Sequence, residues 1–321
     1  MKTLIAVGLG TIYGLLLRMM FWFFNDFMGI MSLSFLIISP IIIGFLTIIL
    51  IPKNQTVSGP SAFLTPWLTS FSILVVTMLF QIEGIICWIM IYPLFSILAG
   101  IGGIIAFLVR KKRVTDMDNN NWKKPNSLNI SVILILPAFI GVIEGERTLS
   151  GKEFNISKSV IIPASTKVVW YHLTNINEIK TTENYSPLSN MMGFPRHLCT
   201  TLDTLSVGGN RKAIYENGLY FEETISDYEI GKLLVLDINI DPNKIPKNVM
   251  DEHIVIGGKH VNILQDIYTI KKISENSCKL TLTSRFTINT PFNWYASIWS
   301  KYLMADILHG QLNLIKGRTK S

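Results

Sequence analysis

Cysteine and charge are both scarce in this chain: three cysteines and 16% Asp, Glu, Lys and Arg in 321 residues. Cys87, Cys199 and Cys278 are too few and too irregularly spaced for a disulfide framework, although a Cys199 to Cys278 bridge stays open. No Gly-rich phosphate loop, no Gly-x-Ser-x-Gly elbow and no paired Cys or His at metal-ligand spacing occurs, which excludes P-loop nucleotide chemistry, hydrolase-type nucleophile elbows and zinc sites. His172, His197, His253, His260 and His309 are scattered along the chain. No cofactor or metal is therefore expected.

Hydrophobicity is abundant instead, with 49% apolar residues and a mean hydropathy of +0.38. That is too apolar for an ordinary soluble protein, and the excess is confined to one half. Five apolar stretches, 4–24, 28–51, 63–80, 85–109 and 128–143, are read as transmembrane helices, each near the ~20 residues needed to cross the hydrocarbon. The first lacks a small-x-small cleavage site and is not a signal peptide. The fifth is the shortest and contains Pro137, so a re-entrant or interfacial placement remains its alternative.

Charge sets the expected orientation. Nine basic residues face four acidic ones up to residue 143, against twenty and eighteen after it. Arg110, Lys111, Lys112, Arg113, Lys123 and Lys124 cluster between the fourth and fifth spans, which marks a cytoplasmic loop. With five crossings the N-terminus is cytoplasmic and the C-terminal domain lies on the non-cytoplasmic side. Without interleaved aromatics the cluster does not read as a nucleic-acid platform. Glu83, at an apparent span boundary beside Gly84, reads as a hydrated loop carboxylate, the alternative being a functional ionisable group at membrane depth.

From about residue 146 the periodicity changes to strand alternation. A first strand over 154–162 leads to a short helix behind Ser165. Strand-like runs then cover 200–206, 210–216, 219–228, 232–241, 261–273 and 278–289. Asn217-Gly218 is the strongest hairpin signal, since a two-residue turn needs positive φ at both positions. Thr290-Pro291 opens a long helix to Ile315, whose stripe of Tyr295, Ile298, Tyr302, Ala305, Leu308, Leu312 and Ile315 is expected to face the sheet.

The order of these elements, with Ile162-Pro163-Ala164, Val168, Trp170 and Leu173, then Val207-Gly208, Arg211, Gly218, Phe221, Glu223 and Ile225, and the closing helix after Pro291, resembles the START-related helix-grip superfamily. This group, also called SRPBCC, includes lipid-transfer domains, pollen allergens and polyketide cyclases. The resemblance covers about residues 150–316. It implies an α+β domain over 146–321, a curved antiparallel sheet gripping the long helix around an apolar cavity, joined to an all-α membrane half over 1–143.

Charged residues within alternating strands are the best polar candidates. Asp266 shares a face with Leu264, Tyr268 and Ile270, and Glu223 with Leu219, Phe221 and Ile225. A two-residue turn sets Lys212 opposite Glu223 as a structural pair and sends Arg211 to the other face with Tyr215 and Tyr220. One bulged residue places Arg211 on the face of Glu223, as a headgroup site requires. The expected ligand-binding set is Arg211, Tyr215, Glu223, Asp266, Tyr295, Ile298 and Tyr302. The expected partners are a lipid or other hydrophobic small molecule and the bilayer, without nucleic acid. Binding is favoured over catalysis. A cyclase-like enzyme would need Glu223, Asp266 and Arg211 to converge, and a structural or sensory module would show a filled pocket.

Overall fold

The computed structural model describes residues 2–24, 32–52, 55–118, 127–144, 151–183, 186–246 and 255–320. It divides into two compact units, Met1–Thr148 and Leu149–Ser321.

The first unit is helical throughout: α1 (Lys2–Phe23), α2 (Ser39–Ile49, entered through a π-helical Ser34–Ile38), α3 (Gly59–Leu79), α4 (Ile85–Asp118) and α5 (Ser127–Glu144). Three segments, Lys2–Phe23, Gly59–Leu79 and Ile85–Lys112, are long and apolar enough to cross a membrane. That corrects the expected five. The second and fifth stretches form shorter apolar helices, Ser34–Ile49 and Val132–Glu144, and the beginning of the second, 28–31, lies outside the described residues. Nor is the cationic cluster wholly a loop, because α4 continues through Arg110–Arg113 to Asp118, while Lys123 and Lys124 lie outside the described residues.

Local chemistry explains the limits and packing of these helices. Ser58 caps α3 by accepting from the Ser61 amide, with Pro60 in the first turn, where a missing N–H costs nothing. Arg110 donates to the carbonyls of Ile48 and Pro52 at the open end of α2. A Cβ on Gly44 would overlap the Ala99 carbonyl of α4, and one on Gly102 that of Ile41, so backbones meet where only glycine fits. Glu83 is no hydrated carboxylate. It accepts from Arg18 Nε at 2.6 Å, with the two side chains 10% and 4% exposed.

The second unit is one seven-stranded antiparallel sheet, β1 (Lys152–Ile162), β2 (His197–Leu202), β3 (Asn210–Tyr215), β4 (Tyr220–Glu229), β5 (Leu233–Asn239), β6 (Val261–Ser274) and β7 (Ser277–Ile288), in the order β1-β7-β6-β5-β4-β3-β2. Bulges in β2, β4 and β6 interrupt the register and bend the ladder, so the sheet curves. Short α6 (Thr166–Thr174) and α7 (Pro187–Met191) follow β1, and α8 (Asn293–Arg318) closes the chain. Alternation along β7 buries Cys278, Leu280, Leu282, Phe286 and Ile288 against Met304, Leu308, Leu312 and Ile315 of α8. This is the helix-grip arrangement: a curved sheet held on one long terminal helix.

Two local expectations need correction. The β3–β4 hairpin turns through three residues, Glu216–Gly218, with the Tyr215 amide donating to the Leu219 carbonyl. Asn217 and Gly218 do take positive φ, 59° and 79°, but the register is set one residue away from a two-residue turn. The face of α8 also differs. Ile298 and Tyr302 are 47% and 65% exposed, and Ala296 and Met304 take the sheet side. Bulky residues occur all round the first half of this helix, so no single stripe stands out there. Cys199 and Cys278 are free thiols.

Candidate functional site

Each strand from β3 to β7 except β5 places a polar residue on the otherwise apolar, helix-facing side of the sheet. The three-residue hairpin sets Arg211 directly opposite Glu223, and Arg211 Nη1 donates to Glu223 Oε2 at 2.6 Å. They are 4% and 6% exposed. On β6, Asp266 alternates with the buried Tyr268 and Ile270; its cross-strand neighbours are Leu236 and the fully buried Ser284. Along β7, Ser284 interrupts the run of Leu280, Leu282, Phe286 and Ile288.

Burial governs the electrostatics. It pushes the Asp266 carboxyl up to about 7; Ser284 and Arg211 oppose that rise, while the negative Glu223 adds to it. Burial raises Glu223 as well, against the pull of Arg211. For Arg211, burial acts to lower the value, but the charge of Glu223 opposes it and holds the guanidinium charged. Tyr215 and Tyr268 are pushed up by burial and stay neutral.

A second set of contacts links this row to α8. His197 of β2 is held down at about 4 by burial and by the charge of Arg211, and is neutral. Its Nδ1 accepts from Gln311 Nε2 at 2.8 Å and its Nε2–H donates to the Cys199 carbonyl at 3.1 Å. The ring stacks on Tyr215 at 4.9 Å. A small pocket of about 40 Å³ adjoins His197, Tyr215 and Gln311. A wider cleft of about 500 Å³ is lined by Thr201, Leu202, Asp203, Asn210, Arg211 and Glu223 among others.

Among the described residues of this unit, four buried side-chain atoms have no hydrogen-bond partner: Arg211 Nε, Asp266 Oδ1, Ser284 Oγ and Gln311 Oε1. All four belong to this row or to the α8 link. Buried polar atoms are ordinarily satisfied, so these four stand out from the apolar side chains around them. The row offers donors from Arg211, Ser284 and Tyr268 and an acceptor from Gln311, and Asp266 can give or take a proton near neutrality. Among the described residues no three His, Cys, Asp or Glu side chains gather as a metal site.

Of the residues singled out from sequence, Arg211, Glu223, Asp266 and Tyr215 are brought together. Tyr295 is half-buried, and Ile298 and Tyr302 are exposed. Tyr268, Ser284, His197 and Gln311 are additions. Two of these had a signal: Ser284 breaks an apolar alternation, and Gln311 stands beside Leu312 and one turn after Leu308 on the buried side of a helix.

No family model matches this chain, and no curated protein matches it. Among solved structures the C-terminal half is similar to START and cyclase-like proteins. Truncated norcoclaurine synthase from Thalictrum flavum aligns at 12% identity over 53% of this chain and 95% of its own, with a TM-score of 0.33. A START superfamily protein from Mycobacterium smegmatis aligns at 12% over 52% and 97%, TM-score 0.35. An aromatase/cyclase from a Streptomyces species aligns at 11% over 53% and 94%, TM-score 0.34.

Proposed function

We propose that the C-terminal unit binds a hydrophobic ligand carrying a polar head, a lipid drawn from the bilayer in which the N-terminal helices sit. The observation that carries this reading is the set of four unpartnered buried atoms, Arg211 Nε, Asp266 Oδ1, Ser284 Oγ and Gln311 Oε1, inside an apolar shell. A polar head would complete their hydrogen bonds while the tail lies along apolar side chains. Three helices long and apolar enough to cross a membrane support a membrane location. Tethering there raises the effective concentration of lipid at the site. The test is mass spectrometry of lipids that co-purify with the full chain in detergent. The expected result is one lipid class enriched over the solubilised membrane and lost in Ser284→Leu, which fills the row. Identical lipid profiles for the two proteins would refute the reading.

The convergence of Arg211, Glu223 and Asp266 favours a second reading, a lipid- or polyketide-modifying enzyme. Asp266, poised near neutrality, would act as general acid–base and Arg211 would stabilise a developing oxyanion. A bound species that changes mass on incubation with wild type, but not with Asp266→Asn, separates catalysis from binding.

A further inference from the structure

The first half of α8 carries an apolar ridge that the sheet does not use. Trp294, Ile298 and Tyr302, spaced four apart and so on one face, are 59%, 47% and 65% exposed in the whole chain. Two exposed lysines stand beside it: Lys301, next to Tyr302 on the helix, and Lys152, the first residue of β1. Both ammonium groups lie over the Phe154 ring, at 5.1 and 5.7 Å from its centre, which brings them into one neighbourhood. Among the described residues neither is in an ion pair, and the adjacent Glu153 is neutralised by Arg285.

We propose that the Trp294–Ile298–Tyr302 ridge, with Lys152 and Lys301 at its side, docks on the surface of an anionic lipid bilayer. Trp and Tyr favour the boundary between hydrocarbon and headgroups, and flanking lysines snorkel to phosphate, so the composition suits a bilayer better than a dry protein interface. The chain brings its own bilayer in its apolar helices. The last of them closes at Glu144, and Lys152 opens β1 eight residues later in the chain. A docked α8 would hold the sheet unit at the lipid surface from which its ligand is drawn. This inference rests on the membrane placement proposed above and not on the ligand.

The test uses the full chain in nanodiscs of phosphatidylcholine with a minor share of phosphatidylglycerol, made with plain or brominated acyl chains. Subtracting the fluorescence of Trp294→Phe from that of wild type isolates Trp294 among the seven tryptophans. Its component should fall by about half or more in brominated discs, and Lys152→Glu/Lys301→Glu should restore it. Quenching of the remaining tryptophans in the apolar helices confirms insertion independently. If those are quenched and the Trp294 component is not, docking is overturned while membrane placement stands. An unquenched Trp294 whose emission shifts with protein concentration would assign the ridge to a second copy of the chain and would equally overturn docking on lipid.

Discussion

Arg211 and Glu223 meet inside the domain because the hairpin between them turns in three residues and not two. One residue of register separates a surface contact between Lys212 and Glu223 from a buried ion pair under the long helix. With the observed register, Lys212 instead faces Glu222 across the ladder and lies over the Tyr220 ring at 3.6 Å.

Breaking that pair from one side should be far worse than removing it whole. Glu223→Gln leaves a buried guanidinium without its counter-charge, and a loss of about 3–5 kcal/mol is expected. Arg211→Met/Glu223→Leu removes both charges and should recover much of it. Thermal denaturation of wild type, Arg211→Met, Glu223→Leu and the double variant closes the cycle. Additive losses would mean that the two side chains act independently.

Asp266 gives the fold a pH dependence of unusual sign. Its carboxyl ionises at the ordinary value of 3.8 when unfolded and at about 7 when folded. Between those values the folded state keeps a proton that the unfolded state releases, so stability is full below about pH 4 and declines until about pH 7. The decline amounts to as much as about 4 kcal/mol for a shift of this size. Glu223, also raised by burial, acts in the same direction. Asp266→Asn should flatten the profile of denaturation midpoint against pH; an unchanged slope would show that Asp266 is not its source.

Most strands were legible because alternation survives in them, although the run expected at 200–206 forms β2 as His197–Leu202; the long helix was legible because Thr290-Pro291 opens it, and it continues past Ile315 to Arg318. The site was half legible. Glu223 and Asp266 stand out as carboxylates among apolar neighbours, but whether Arg211 joins them depends on how Glu216–Gly218 coils, and Asn217-Gly218 suits both turns. Ile298 and Tyr302 misled for a different reason: the first turns of α8 are bulky on several faces, so composition could not say which face the sheet would take. In the first unit, the apolar run of the second stretch continues to Ile51 while its helix closes at Ile49, since hydropathy counts apolar residues and not helical ones.

Helix packing in the first unit should hinge on Gly44 and Gly102. Their α-carbons lie against the backbone of Ala99 and Ile41, with no side chain there to give way. Gly44→Ala or Gly102→Ala must therefore part α2 from α4, at a cost of roughly 2 kcal/mol or more. Gly8→Ala, which meets nothing within 4 Å, should be neutral or slightly stabilising. Resistance to unfolding by SDS ranks the three. Equal behaviour would refute the close approach.

Leu308 and Tyr302, two turns of α8 apart at most, should respond oppositely to truncation. Leu308 is 1% exposed within the core, so Leu308→Ala should cost about 2–5 kcal/mol. Tyr302→Ala removes a ring already 65% in solvent and should change stability by no more than about 0.5 kcal/mol. Chemical denaturation compares them directly. A large loss at Tyr302 would return that residue to the wall of the core.

Sidedness depends on α5. Its apolar part, Val132–Glu144, reaches about 20 Å at 1.5 Å per residue, short of the ~30 Å of hydrocarbon, so labelling on its far side decides whether it crosses. Within the unit its end is also tied down, since both Glu144 oxygens accept backbone N–H groups, from Leu33 and Ser34. Arg110 is engaged by the carbonyls at the end of α2, and the cationic cluster as a whole resists translocation. If α5 crosses, residue 320 lies outside the cytoplasm. Lys320→Cys, placed in a Cys199→Ser background because Cys199 is only half-buried, should then react with an impermeant thiol reagent in intact cells, Cys87 and Cys278 being buried. Protection of that cysteine together with labelling of one introduced at Asn119 would invert the orientation with α5 still crossing, whereas protection of both would show that α5 turns back and that the sheet unit lies in the cytoplasm.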